Sequence, residues 1–136
     1  MIERLWRLGI GVEAGLASAS DAERPVTLGL GSRVLRVLIE IEQQDEATAS
    51  AVAADIRSVL SRVGLHRPVL LHGQEATVWR FVALAAEGHL STRVGLEDGC
   101  LLADEAMAPD NAALVAVAVS MVHANHRVSA KELASR

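Results

Sequence analysis

Two adjacent carboxylates end a strand-like run in the stretch STRVGLEDG, residues 91–99. Glu97 and Asp98 follow apolar residues, and Arg93 lies four residues before Glu97. A carboxylate beside a permanent cation stays ionised and oriented, as a base in proton transfer must be. Neighbouring strand residues point to opposite faces, so both carboxylates reach one site only if the chain turns there, which Gly99 permits. The residues alone leave open an ordinary acidic strand end with Arg93 as a surface partner.

Polar side chains end each of four predicted strands. They are Glu13, Glu40, His72, and the pair Glu97 and Asp98. In parallel α/β folds the carboxyl ends of the strands form the active-site face, so we expect these side chains on one rim. The alternative is that strand ends are simply where a chain becomes polar.

The four predicted strands, centred near Val12, Val37, Leu70 and Val94, are spaced by about 30 residues, the size of one βα unit. Helical patterns lie around them: ERLWRLG, the turn or short helix SASDAERP closed by Pro25, DEATASAVAADIRSVLSRVG, QEATVWRFVALAAEG, PDNAALVAVAVSMVHANH, and a last short helix opened by the capping box SAKE. The strands are apolar throughout, as expected when both faces of a sheet are covered. The sequence predicts one α/β domain over residues 1–136 with a parallel sheet.

Composition excludes several classes of function. The net charge is −4 and Lys131 is the one lysine, which argues against a nucleic-acid partner. No apolar run reaches the length of a membrane span, and the start has no signal-peptide pattern. The single cysteine, Cys100, excludes an internal disulfide framework and favours the cytoplasm. A flavodoxin-like binding domain lacks support, since no strand is followed by a glycine-rich phosphate loop.

The stretch RVGLEDG resembles the end of the last barrel strand in the β-keto acid cleavage enzymes, the family of the 3-keto-5-aminohexanoate cleavage enzyme. PDNAALVAVA resembles the helix that follows, and GVEAG, RVLIEI and VLLHG are similar to the three preceding strands. The resemblance implies a zinc-dependent (β/α)8 barrel. Its reaction takes a β-keto acid and acetyl-CoA, and releases acetoacetate and a new CoA ester.

The resemblance also implies residue roles. Glu97 would be a zinc ligand, and zinc would polarise the keto oxygen of the substrate. Asp98, steered by Arg93, would take a proton from the carbon between the keto group and the carboxylate. Glu13 would line the substrate pocket. His72 has no assigned family role, and its place on the rim makes it a second candidate for substrate binding.

The chain matches only half of the family pattern. A (β/α)8 barrel needs about 250 residues, and the resemblance covers strands five to eight, a (βα)4 half. The family's His-x-His zinc pair is missing, because none of the five histidines has that spacing: His66, His72, His89, His123 and His126. His123 and His126, three residues apart on a predicted helix, could in principle hold a metal. The alternative is that they complement the dipole at the C-terminus of that helix.

Three explanations for the missing half stay open: a truncated or mis-started gene, a split subunit that pairs with an N-terminal half-barrel, or a half-barrel that dimerises and has lost the chemistry. Unpaired edges and an uncovered inner face predict self-association. The rival to an enzyme is a non-catalytic interaction or structural module.

Overall fold

The computed structural model describes residues 2–134 of the chain, with side chains over 2–31 and 33–125. Helices and strands alternate up to α4, and a second helix follows it: α1 Ile2–Arg7, β1 Val12–Leu16, α2 Ala19–Thr27, β2 Val34–Ile41, α3 Glu46–Arg62, β3 Val69–Gly73, α4 Val78–Glu87 and α5 Asn111–Ala134. Short 3-10 turns cover Gly31–Arg33 and Glu75–Thr77. The predicted α/β class is confirmed. None of the helices within this described part combines the length and apolar character that a membrane span requires.

The described strands form one parallel sheet in the order β1-β2-β3. Ala14 of β1 lies beside Val37 of β2, and Ile39 of β2 lies beside Leu71 of β3. Each strand reaches its neighbour through a helix, as a parallel connection requires. The carboxyl ends of the strands therefore lie at one edge of the sheet.

The core lies on one face of this sheet. Val37, Ile39 and Ile41 alternate along β2 and are fully buried, together with Ile56 of α3 and Phe81 of α4. This alternation departs from the prediction that both faces are covered, but β3 agrees with it, because Leu70, Leu71 and His72 are all buried. The alternate residues of β2, Arg36, Leu38 and Glu40, are only half-buried on the other face. Buried apolar side chains on one face, and half-buried side chains with two charges on the other, give β2 a period of two.

The predicted fourth strand, centred near Val94, is wrong. Leu70 of β3 makes one parallel bridge to Ser91, with hydrogen bonds from Leu71 N to Ser91 O (2.9 Å) and from Ser91 N to Val69 O (3.1 Å). From Thr92 the chain leaves the ladder and enters a turn. Pairing on one side only, followed by that turn, leaves a single bridge in place of a strand.

Two predicted helix boundaries are also wrong. Pro25 lies inside α2 and does not close it. It stands two residues before the helix end, its ring is buried, and its carbonyl accepts a hydrogen bond from Leu30 N at 2.7 Å. The separate last helix from Ser129 does not exist, because α5 continues through that position to Ala134. The side chains of the predicted capping box lie outside the described residues.

Gly73 ends β3 in close contact with Thr77 and with Phe81 of α4. A Cβ atom added there would lie 2.6 Å from Thr77 Oγ1 and 2.7 Å from Phe81 Cδ2. Real Cβ contacts are longer than this, so a larger residue would force the strand and the helix apart. The missing side chain at Gly73 therefore sets how closely β3 and α4 pack.

Candidate functional site

Asp98 lies in the turn that follows the bridge at Ser91, and it is 2% exposed. Its own N–H donates to Gly95 O at 2.9 Å, and its carbonyl accepts a hydrogen bond from Glu75 N at 2.6 Å. The second bond ties this turn to the loop that follows β3. The predicted base is therefore held by backbone contacts beside the carboxyl end of the sheet.

Arg93 binds this carboxylate as predicted. Its Nη2 donates to Asp98 Oδ1 at 2.9 Å, and its side chain is 42% exposed while that of Asp98 is 3% exposed. The hydrogen bond that Arg93 donates to Asp98 raises the pKa of Arg93 above its usual value. Burial acts against this rise, and the charges of Asp98, Glu40 and Glu97 add to it. Arg93 thus stays cationic beside a buried carboxylate. The other carboxylate oxygen, Asp98 Oδ2, is buried and has no hydrogen-bond partner among the described residues.

His72, at the end of β3, lies on the other side of Asp98 and is 1% exposed. Its Nδ1 is 3.6 Å from Asp98 Oδ1, and its Nε2 is 3.7 Å from Glu40 Oε1. Gln74 Nε2 donates to the same Glu40 oxygen at 3.0 Å. We call Gln74, Glu40, His72, Asp98 and Arg93 the polar row. It crosses the carboxyl ends of β2 and β3 and the turn beyond.

Sequence reasoning noted Glu40 at a strand end but did not include it among the site residues, and it missed Gln74. The register of the sheet brings them in, because Glu40 lies directly beside His72 in the parallel pairing. The signal for Glu40 was its place between Ile39 and Ile41 in an otherwise apolar run. For Gln74, the signal was its position directly after β3.

Glu97 does not join the polar row. It is exposed, and its Oε2 lies 3.4 Å from the place of a Cβ atom built on Gly95. Asn111 Oδ1 lies 3.6 Å from the same point and accepts a hydrogen bond from Leu96 N at 2.8 Å. The two neighbouring carboxylates therefore lie in different surroundings: Asp98 is buried in the row, and Glu97 is on the outside near the start of α5.

Glu13 is also apart from the row, and it does not end a strand as predicted. It is the second residue of β1, and it pairs in register and by an ion pair with Arg36. Arg36 precedes Glu40 by four residues on β2, a rise of about 13 Å at 3.3 Å per residue. Strand β1 continues past Glu13 to Leu16, further than the sequence pattern predicted. Glu13 therefore lies well before the carboxyl edge of the sheet.

The zinc implied by the resemblance needs several converging ligands. Within the part of the chain whose side chains are described, no three His, Cys, Asp or Glu groups converge in a way that could hold a metal ion. Glu97 would offer one carboxylate, whereas a catalytic zinc site has about three protein ligands. The His123 and His126 pair is outside this test, because the side chain of His126 lies outside the described residues. The described residues alone therefore do not fit a zinc site.

Asp98 is the buried carboxylate of the polar row. A carboxylate with one oxygen bound by a guanidinium and the other unpartnered has the arrangement of a base, and in this structure its free oxygen, Oδ2, is enclosed by protein. Proton abstraction is therefore the chemistry that the described side chains support.

Comparison with curated proteins found no match. A family model described as beta-keto acid cleavage enzyme matches residues 31–136, well over half of the chain. The matched range contains the whole polar row and Glu97, whereas Glu13 lies outside it.

Proposed function

Because the chain belongs to the β-keto acid cleavage enzyme family, we propose that it carries the proton-abstracting part of such an enzyme's active site. The substrate would be a β-keto acid, cleaved with acetyl-CoA to give acetoacetate and a new CoA ester. One observation carries the proposal: Asp98 is buried, its Oδ1 is bound by Arg93 at 2.9 Å, and its Oδ2 has no partner among the described groups.

In the proposed reaction, Asp98 takes a proton from the carbon between the keto group and the carboxylate. Arg93 is the orienting cation, which holds Oδ1 through its hydrogen bond. Burial of Asp98 removes competing water from the oxygen that receives the proton. Positioned bases of this kind contribute roughly 10²–10⁴-fold to rate.

Zinc and acetyl-CoA remain proposals that come from the resemblance. Zinc would supply polarisation of the keto oxygen. Glu97 could contribute one carboxylate, and the other ligands would come from another polypeptide or another copy. Glu13 and His72 remain proposed substrate contacts, although Glu13 would serve only a long substrate because it lies far from Asp98 along the strands.

We also propose that the chain forms a (βα)4 half of a (β/α)8 barrel. Its support is the parallel order of β1, β2 and β3, the packing of α3 and α4 against one face of the sheet, and Arg36 and Glu40 on the other face of β2. A second half, from an N-terminal half-barrel or from another copy, would cover that face. The single bridge at Ser91 would extend into a strand once a partner strand pairs with its free side.

The second candidate function is a non-catalytic interaction module. A cavity of about 390 Å³ between residues 92–94 and α5 favours it. Its walls include the exposed side chains of Val115 and Val119. Apolar residues exposed side by side are typical of protein interfaces. In this alternative the polar row would be a structural remnant.

Exchange of the substrate's acidic C–H with solvent deuterium tests the first candidate without requiring the complete reaction. Asp98→Asn should lower the exchange rate above background by roughly 10²–10⁴-fold. Asp55→Asn, an exposed substitution of the same chemistry on α3, should leave it unchanged. Full exchange activity in Asp98→Asn would show that the base has been wrongly assigned. No exchange above background in the native protein would favour the interaction module.

A further inference from the structure

Asp98 is approached from two sides at the same oxygen. Arg93 Nη2 donates to Oδ1 at 2.9 Å, and His72 Nδ1 faces Oδ1 at 3.6 Å. Oδ2 has no hydrogen-bond partner among the described residues. An oxygen that accepts from a guanidinium is the weaker base of the two, because its lone pairs are already engaged. The geometry therefore distinguishes the two oxygens of one carboxylate.

His72 itself has an unusual environment for a histidine. It is 1% exposed, and within the described residues neither ring nitrogen makes a hydrogen bond. Burying a polar ring without partners is costly, and each such group in a native fold needs an explanation. The groups that face its nitrogens are both carboxylates, Asp98 on one side and Glu40 on the other.

We propose that His72 is a positioning residue for Asp98, which together with Arg93 fixes Oδ1 and leaves Oδ2 as the atom that takes the proton. This inference rests on the proposed function, because it assigns the reacting atom of the same base. His72 need not touch the substrate. It links Asp98 to Glu40, which Gln74 holds in place by its own hydrogen bond at 3.0 Å.

The link makes a spectroscopic prediction. A neutral imidazole carries one N–H, and here it can point either to Asp98 from Nδ1 or to Glu40 from Nε2. The two carboxylates compete for that proton. Replacing one carboxylate by an amide, a weaker acceptor, should move the proton to the nitrogen that faces the other.

Nitrogen-15 NMR of the His72 ring measures this directly in the full chain. Asp98→Asn should shift the ring toward the Nε2–H form, and Glu40→Gln should shift it in the opposite direction, toward the Nδ1–H form. Glu42→Gln removes a charge two residues away on an exposed side chain and should change neither shift. Ring shifts that are the same in the native protein and in both test variants would overturn the proposal. Glu40 is half-exposed, so Glu40→Gln provides a test even if Asp98→Asn does not fold.

A pair of substitutions at residue 72 then tests positioning in the reaction. An asparagine amide can replace Nδ1, and a glutamine amide can replace Nε2. His72→Asn should therefore retain more deuterium exchange than His72→Gln, and an equal loss in both would contradict the role. If the native protein shows no exchange while the NMR shifts move as expected, the proposed function is wrong and the link from His72 to Asp98 stands.

Discussion

At the scale of single residues, the ion pair of Arg93 and Asp98 is a buried carboxylate held by a half-exposed cation. Arg93→Gln would leave that carboxylate buried without its donor. We expect the free energy of unfolding to fall by about 1–3 kcal/mol, the usual cost of an unsatisfied buried polar group. Urea denaturation monitored by circular dichroism measures it.

The matched control at this scale is the pair of Arg62 and Glu23, joined at 2.8 Å on the surface. Arg62→Gln removes the same kind of charge from an exposed pair and should cost less than about 1 kcal/mol. Equal decreases in the free energy of unfolding for the two arginine variants would mean that burial of Asp98 does not strengthen its ion pair.

The residue scale also shows what the sequence could predict of the site. The pairing of Arg93 with Asp98 was implied by the family resemblance, and the two side chains are joined by a hydrogen bond. The sequence could not show that Glu97 and Asp98 differ in burial, because that depends on a turn fixed by Glu75, a residue from another loop. The roles in catalysis and zinc binding stay predictions.

At the scale of elements, the start of α3 makes stability depend on pH. Asp45 caps the helix and accepts hydrogen bonds from Thr48 N at 2.9 Å and from Thr48 Oγ1 at 2.6 Å. These bonds, the side-chain bond first, lower the pKa of Asp45 in the folded chain. A carboxyl group with a lowered pKa stabilises the fold above its unfolded pKa of about 3.9, and this contribution is lost as pH falls through the folded value.

We therefore expect the urea midpoint of the native protein to fall more steeply below about pH 4 than that of Asp45→Asn, which caps without titrating. Asp55→Asn, in the middle of the same helix, should keep the native pH dependence. If the urea midpoints of the native protein and Asp45→Asn changed with pH in the same way, the contribution of the Asp45 cap would be contradicted.

Strand β2 gives a second prediction at this scale, because its two faces differ. Ile39 is fully buried, and Leu38 beside it is half-buried on the other face. Ile39→Ala should lower the free energy of unfolding by about 2–5 kcal/mol. Leu38→Ala removes a side chain of similar size and should cost less than half as much. A larger loss at Leu38 in chemical denaturation would mean that the open face is covered.

Three of the four predicted strands and most of the helices are present, because their apolar residues recur with a regular period along the sequence. The fourth predicted strand is absent, because a strand needs a neighbouring strand to pair with and apolar residues alone do not determine it. The predicted coverage of both faces failed for β2, although it holds for β3. In RVLIEI, residues 36, 38 and 40 lie on one face of the strand. Because Leu38 stands between Arg36 and Glu40 on that face, the alternation of polar and apolar residues was hard to recognise.

At the scale of the whole molecule, β1 has β2 as its one strand neighbour among the described residues, and α5 exposes Val115 and Val119 at 47% and 46%. We expect concentration-dependent self-association in sedimentation velocity experiments. Val119→Glu should weaken it by placing a charge at the cavity. Ala116→Glu adds the same charge to an exposed α5 position outside the cavity lining and should leave it unchanged. A monomer at every concentration would contradict the proposal.

The close approach at Gly73 restricts how this molecule can be varied. A library that randomises residues 72 to 74 and selects for folded protein should recover many residues at 74, few at 72, and almost only glycine at 73. The reason is that the space for a side chain at 73 is already filled by Thr77 and Phe81. Attempts to enlarge or redirect the site at Gly73 would first have to replace Thr77 and Phe81 with smaller residues.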